Sequence, residues 1–141
     1  MKNNFLQSLV LSASTLILLL LHLGCSKADD TKAPVVIAPI EKLSKLDVCG
    51  CNQEANIILD ASYEIRKKFI DMDALKKDVD SVNRIRSWAK NWTNLMDACF
   101  RKHGSRMWMD SECNNLVEIK DKKDRLFKLG IQIDQGEKVR L

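Results

Sequence analysis

Cysteine is the residue type in this chain with the most distinctive chemistry. Five cysteines lie within 141 residues: Cys25, Cys49, Cys51, Cys99 and Cys113. A thiol can pair with a second thiol in a disulfide, or it can bind a soft metal ion as a thiolate. Cys25 stands apart near the start of the chain. The other four make an even set, which in a small exported domain predicts two disulfides.

A metal site is the alternative use of the same sulfur atoms. Cys99 and His103 are four residues apart and would share one helix face, and the remaining cysteines could complete a closed zinc site. Separately, His103, Met107, Trp108 and Met109 supply ligand types that resemble those of periplasmic copper carriers, which hold soft Cu(I). An oxidising compartment favours disulfides over thiolate ligands, so we expect no bound cofactor.

Motifs for catalysis are missing from the sequence. The histidines are His22 and His103, and no acid, base and nucleophile stand at a recognisable spacing. The sequence has no Gly-rich phosphate loop and no paired-histidine motif. Its carboxylates lie three or four residues from lysines, which is typical of ion pairs on helix surfaces. We therefore expect a protein that is not an enzyme.

Three tryptophans suggest a surface for recognising a partner protein. Trp88 and Trp92 are one helical turn apart, and Arg84 comes one turn before Trp88. With Trp108 they could form an aromatic patch, because Trp and Arg often anchor protein interfaces. The alternative is that Trp92 fills the core while Trp88 flanks it, half buried.

Residues 1–24 have the three parts of a secretory signal. Lys2 gives a charged start, an apolar stretch ends in the run from Leu16 to Leu21, and Gly24 is a small residue at the exit. The residues Leu-His-Leu-Gly-Cys that end at Cys25 resemble the lipobox of bacterial lipoproteins. The resemblance covers only this leader and its flank, and it departs from the family at His22, where an aliphatic residue is usual.

The resemblance implies lipid chemistry at Cys25. In that family the thiol receives diacylglycerol, the preceding peptide is removed, and the new amino end is usually acylated. Such chains would hold the protein on a membrane of the cell envelope, at the outer membrane or the cell surface, facing the periplasm or the exterior. The run from Ser26 to Asp30 also resembles surface-export signals of some Gram-negative lipoproteins, or is a solvated linker. The alternative anchor is an uncleaved membrane helix at 5–23, barely long enough to span a bilayer.

The mature chain has room for one small domain. Removing residues 1–24 from 141 leaves 117, and a net charge of +4 on the whole chain is too weak to predict a nucleic-acid partner. Residues 25–48 hold both prolines, Pro34 and Pro39, and predict an extended, flexible tether that carries the lipidated cysteine. We place the folded domain at 49–130 and a tail at 131–141.

The domain is predicted to be all-α. From residue 52 to 129 the sequence has no proline and one glycine, Gly104, whereas strands and their turns use such residues often. Apolar residues recur at steps of three and four in three stretches, as expected for helices with one buried face. We predict an antiparallel three-helix bundle at about 52–71, 73–103 and 105–129, with Asp110 as an alternative start of the third helix.

Helix geometry then limits how the cysteines pair. If the first two helices meet near Met72, Cys49 and Cys99 lie about level near their far ends. Cys51 is then better placed for Cys113, so we predict Cys49–Cys99 and Cys51–Cys113. A third helix starting at Asp110 would allow Cys99–Cys113 with Cys49–Cys51 instead. Either scheme gathers the four sulfur atoms at one end of the domain.

These features predict a lipid-anchored envelope protein that acts by binding. Its size and anchor are similar to those of small lipoproteins that inhibit, neutralise or exclude another protein, which suggests an interaction, structural or inhibitory module. The alternative is an envelope lipoprotein that handles zinc or copper. The sequence does not identify the protein partner.

Overall fold

The computed structural model describes residues 40–141, and the predicted leader, Cys25 and most of the tether lie outside the described residues. The described chain is predominantly helical and has no β-strand, so the all-α prediction is confirmed. Its helices are α1 (Ile40–Leu43), α2 (Val48–Arg66), α3 (Met72–Lys77), α4 (Val79–His103) and α5 (Leu116–Lys128), with 3-10 helices at Gly104–Trp108 and Ile133–Lys138.

Helix α2 begins earlier than predicted. The carboxylate of Asp47 accepts a hydrogen bond from the backbone N–H of Gly50 at 2.7 Å and so caps the helix. A side-chain oxygen at this position satisfies one of the amide groups that the first turn leaves unpaired. Asn52, where the predicted helix begins, instead lies inside the helix and is buried. Cys49 and Cys51 are therefore both helical.

The second predicted helix is two helices. The side chain of Asp71 accepts a hydrogen bond from the N–H of Ala74 and caps the start of α3. Asp78 caps α4 in the same way through the N–H of Ser81. The extended backbone at Asp78 breaks the predicted helix without changing the apolar spacing. Helix α4 ends at Gly104 with a positive φ of 56°, as the sequence predicts.

The third predicted helix starts later than either proposed site. Gly104–Trp108 is a 3-10 helix, and residues 109–115 form a turn before α5 begins. Asn115 caps α5, since its side chain accepts from the N–H of Glu118 at 2.9 Å. The predicted start at Asp110 is therefore wrong, and the Asp110 carboxylate serves the helix differently, by accepting from the N–H of Leu116 at 3.2 Å.

The folded unit extends beyond the predicted boundaries at 49 and 130. Leu43 is 2% exposed and joins the hydrophobic core, so the chain is already packed before Cys49. Ile131, Ile133 and Val139 are also buried, although they belong to the predicted tail. The 3-10 helix Ile133–Lys138 packs against α4. The last residues therefore complete the core and do not form a free tail.

Helix α2 lies at the centre of the packing, because both α4 and α5 pack against it. Helices α4 and α5 make few direct contacts with each other. The largest fully buried apolar side chains come from these elements and their flanks: Ile58, Leu59, Leu75, Ile85, Leu95, Leu126 and Ile131. Between residues 40 and 141, no helix combines the length and apolar character that crossing a membrane requires.

Candidate functional site

Two disulfides are present, but the predicted pairing is wrong. The structure joins Cys49 to Cys113, with Cα atoms 5.1 Å apart, and Cys51 to Cys99, with Cα atoms 6.2 Å apart. The predicted pairing assumes an extended chain before Asn52. It rests on the height of each cysteine along the bundle axis and not on the direction of its side chain. Because α2 starts at Val48, the side chains of Cys49 and Cys51 point about 200° apart around the helix. Cys51 therefore faces α4, whereas Cys49 faces the turn that carries Cys113.

The structure does not assemble the metal ligands that the sequence suggested. Cys99 is held in a disulfide with Cys51 and offers no thiolate. His103 places Nε2 2.9 Å from the carbonyl oxygen of Leu46. Met107 is buried and Met109 is 64% exposed, so their thioethers lie in different environments. Among residues 40–141 no three His, Cys, Asp or Glu side chains are grouped as metal ligands.

The predicted aromatic patch is not a single surface. Trp88 and Trp92 are 7% and 4% exposed, so both belong to the core, whereas Trp108 is 70% exposed and Arg84 is also exposed. The patch prediction is therefore wrong for Trp88 and Trp92. Sequence spacing placed them on one helix face correctly, but that face is turned inward.

An apolar groove lies between α4 and α5, which make few direct contacts with each other. Its volume is about 550 Å³. Met96 and Phe100 of α4 form one wall, Leu116 and Ile119 of α5 form the other, and α2 supplies the floor through Ala55 and its neighbours. The remaining lining residues are Cys51, Asn52, Trp92, Thr93, Asp97, Met107, Trp108, Asn114, Lys123 and Asp134. Clefts of this size and lining are typical of binding sites.

Aromatic rings close one end of the groove. The rings of Phe100 and Trp108 have centroids 4.8 Å apart and are tilted by 34°. This contact fixes the exposed Trp108 at the groove rim. An exposed tryptophan held by a neighbouring ring is a suitable anchor for an interface, because little conformational entropy remains to be lost on binding.

A polar network closes the other end. The indole N–H of Trp92 donates to Oδ1 of Asp134 at 2.9 Å. Lys123 pairs with the other carboxylate oxygen of Asp134 at 2.9 Å, and its ammonium lies 5.6 Å from the centroid of the Trp92 ring. The buried indole therefore has its hydrogen-bond partner, and the C-terminal segment is fastened to α4 and α5 together.

Asn114 holds the turn that supports the aromatic end. It is 1% exposed, and its side-chain amide donates to the carbonyl oxygens of Met109 at 2.8 Å and Met107 at 3.3 Å. Its Oδ1 accepts from Nδ2 of Asn52 at 3.3 Å. One buried side chain thus satisfies three backbone and side-chain groups in the wall of the groove.

Lys122 joins the two helices that form the floor and one wall. Its ammonium lies 2.8 Å from Asp60 of α2 and 2.9 Å from Glu118 of α5. Burial lowers the pKa of Lys122, but the hydrogen bonds that its ammonium donates to Asp60 and Glu118 outweigh burial and raise that pKa above its usual value. The side chain is 19% exposed, so this bridge is partly shielded from solvent.

Sequence reasoning missed the groove although it identified many of its residues as apolar. Met96 has the spacing of a core residue, and spacing cannot show whether the opposite helix closes over it. One signal was present: Asn115 and Glu118 have the spacing of a capping box, which would have placed the start of α5 and hence the groove wall. Comparisons with protein-family models, curated proteins and solved structures give no match to this chain.

Proposed function

We propose that this chain is a lipid-anchored binding module of the bacterial cell envelope. In this proposal Cys25 carries the lipid, and the groove between α4 and α5 receives the apolar face of a helix from a partner protein. The module acts by occupying or blocking that partner and performs no catalysis. The open apolar groove with Trp108 at its rim is the observation that carries the proposal.

The anchor is supported by sequence chemistry at the start of the chain. Lys2, the apolar run and the Leu-His-Leu-Gly-Cys segment together have the features of a lipoprotein leader. Two disulfides in the folded part agree with export, because disulfides persist in oxidising compartments outside the cytosol. In the proposal, the segment between Cys25 and Ile40 serves as the tether from which the domain meets a membrane-bound partner.

The arrangement of the long helices favours a helical guest. In the proposed architecture α2, α4 and α5 form an antiparallel three-helix bundle that is left open between α4 and α5. The α4 wall runs from Trp92 to Phe100, which is about 12 Å at the rise of an α-helix, or about two helical turns. A guest helix would pack against both walls with its side chains between those of the host.

The charges at the groove rim are paired, which indicates that apolar burial supplies the affinity. Asp97 pairs with Arg101, and Lys123 pairs with Asp134. These groups gain little Coulomb energy from a partner, because each already has a counter-charge in the folded protein. A polar rim around an apolar centre is the usual anatomy of a protein interface.

Photo-crosslinking in intact cells tests this proposal. A photoreactive phenylalanine derivative replaces Met96 in the groove, and the matched control carries it at Val79, which is on the same helix and is 66% exposed. We expect the Met96 position to capture one protein, through a peptide with an apolar helical stripe, and the Val79 position to miss it. Equal capture from both positions, or a lipid adduct at Met96, would contradict the proposal.

The Trp108→Ala variant extends the test to the rim. This variant keeps the photoreactive residue at position 96 and removes the aromatic anchor. We expect capture from position 96 to fall at least about tenfold, because a tryptophan buried in an interface typically contributes more than 1.4 kcal/mol. Unchanged capture would exclude Trp108 from the interface.

A further inference from the structure

We infer that Cys49–Cys113 is a reactive disulfide that a dithiol reductant opens selectively, and that its opening loosens residues 104–115, which build the aromatic end of the groove. The reactivity follows from this chain's own geometry. Its consequence for binding rests on the proposed function.

The two disulfides differ in access. Cys51 and Cys99 are 0% and 1% exposed, and although Cys51 borders the groove its sulfur is covered. Cys113 lies in the exposed turn before α5, and Cys49 is partly exposed at the start of α2. A thiolate must reach a sulfur atom directly to attack it, so access selects the Cys49–Cys113 bridge.

The exchange is balanced by the dithiol alone. One thiolate of the reductant attacks Sγ of Cys113, the bond between the two protein sulfurs breaks, and Cys49 leaves as a thiolate. The second thiol of the reductant then attacks its partner sulfur in the mixed disulfide and releases Cys113. Two electrons pass from the dithiol to the protein bridge, two protons finish on Cys49 and Cys113, and the reductant leaves as a cyclic disulfide.

The bridge fastens the segment that builds the aromatic end of the groove. Cys113 directly precedes Asn114, whose amide holds the carbonyl groups of Met107 and Met109. Once the bridge is open, the side chain of Asn52 still links this turn to α2, through hydrogen bonds to Oδ1 of Asn114 and to the carbonyl oxygen of Asn115. Trp108 then loses part of its support, because it belongs to the same segment.

The core survives this change because the second bridge is independent of it. Cys51–Cys99 still joins the start of α2 to the C-terminal part of α4. Reduction therefore changes the groove without unfolding the helices, and reoxidation restores it. The order of the groove's aromatic end therefore depends on whether the surroundings are reducing enough to open Cys49–Cys113.

Reductant titration of the full-length protein purified from cells tests the inference. The protein is treated with rising dithiothreitol, free thiols are trapped by alkylation, and the alkylated cysteines are mapped by mass spectrometry. We expect the first two labels on Cys49 and Cys113, with Cys51–Cys99 still intact. In that state hydrogen exchange across 104–115 should rise at least about tenfold, whereas exchange in the middle of α4 stays unchanged.

Two results would overturn the inference. One is reduction of Cys51–Cys99 before, or together with, the exposed bridge. The other is unchanged exchange across 104–115 after Cys49 and Cys113 are labelled. The double variant Cys49→Ser with Cys113→Ser supplies an independent check, since it should reproduce the faster exchange without reductant.

The test separates this inference from the proposed function. Thiol mapping and hydrogen exchange need no partner, so they stand even if photo-crosslinking from Met96 captures nothing in the unmodified protein. If Met96 does capture a partner, the double variant should reduce that capture. Full capture by the double variant would show that the bridge does not control the groove.

Discussion

Asn52 on α2 donates a hydrogen bond from Nδ2 to Oδ1 of Asn114, 62 residues further along the chain, at 3.3 Å. Both side chains are buried, at 7% and 1% exposure. This contact links the floor of the groove to the turn that carries its aromatic end. A buried polar pair of this kind fixes the position of the turn relative to α2, because the hydrogen bond between the two amides forms only when the two segments are correctly aligned.

Asn114→Ala should lower the free energy of unfolding by about 2–3 kcal/mol, because the carbonyl groups of Met107 and Met109 lose their side-chain donor and the Asn52 amide loses one acceptor. Urea denaturation measures the change. Asn83→Ala is the control, since Asn83 is exposed on α4 and its loss should change stability by less than about 0.5 kcal/mol. Equal effects of the two substitutions would show that the buried network contributes nothing.

Substitution of the buried Trp88 should destabilise the fold, whereas substitution of the exposed Trp108 should mainly affect binding. Trp88→Ala should cost about 3–5 kcal/mol, because it empties a large core site. Trp108→Ala should cost less than about 1 kcal/mol, because the ring is largely in solvent. Thermal or urea unfolding of both variants checks the order, and the reverse order would contradict the assignment of Trp108 to a surface.

Gly136 tests whether the C-terminal segment is packed on α4. Its φ is +57°, and an added Cβ would lie 2.8 Å from Oγ1 of Thr93. Gly136→Ala should therefore cost about 2–3 kcal/mol, combining backbone strain with a clash. Gly104→Ala is a matched control, because it has a φ of +56° with no atom within 4 Å of the new Cβ.

The Thr93 contact can be isolated by a double-mutant cycle. Thr93→Ala removes the oxygen that meets the new Cβ, so Gly136→Ala should cost about 1 kcal/mol less in that background. An unchanged cost would mean that the segment is not seated on α4 as described.

The contribution of Lys122 to the free energy of unfolding should depend on pH. Its folded pKa is raised from the ordinary value of 10.5, so the bridge stabilises the fold below that pH and the stabilisation is lost as pH rises through the folded pKa. At neutral pH, Lys122→Met should cost about 1 kcal/mol, the upper range for such pairs. In chemical denaturation, the difference from the unmodified protein should disappear well above pH 10.5.

Lys120→Met provides the control for that measurement. Lys120 pairs with Asp124 on the outer face of α5 and links no second helix. Its loss should matter less than that of Lys122 at neutral pH. A larger effect for Lys120 would contradict the role given to the α2–α5 bridge.

The helical class was predictable because its determinants are local. Between residues 52 and 129 the sequence has no proline, and the described chain is mostly helical there. Gly104 ends a helix in the sequence pattern, and in the structure it follows α4 with a positive φ. The disulfide pairing was not predictable from axial level. It depends on the direction of each side chain around α2, and a helix start four residues earlier than predicted changes that direction for Cys49.

The groove depends on packing between distant segments. Apolar spacing marks Met96 and Ile119 as inward-facing, yet both line a groove that no described element fills. The short 3-10 helix at Ile133–Lys138 carries a weak local pattern, so its place against α4 follows from the burial of Ile133 and its neighbours. Such tertiary contacts override what a single stretch of sequence indicates.

Mass spectrometry of the protein from its native membrane tests the account most directly, because it reads the proposed lipid anchor at Cys25 and the state of the other four cysteines in one measurement. We predict a chain that begins at an acylated Cys25, with Cys49 linked to Cys113 and Cys51 linked to Cys99. A chain that keeps Met1, carries no lipid on Cys25 and has its other four thiols reduced would contradict the account.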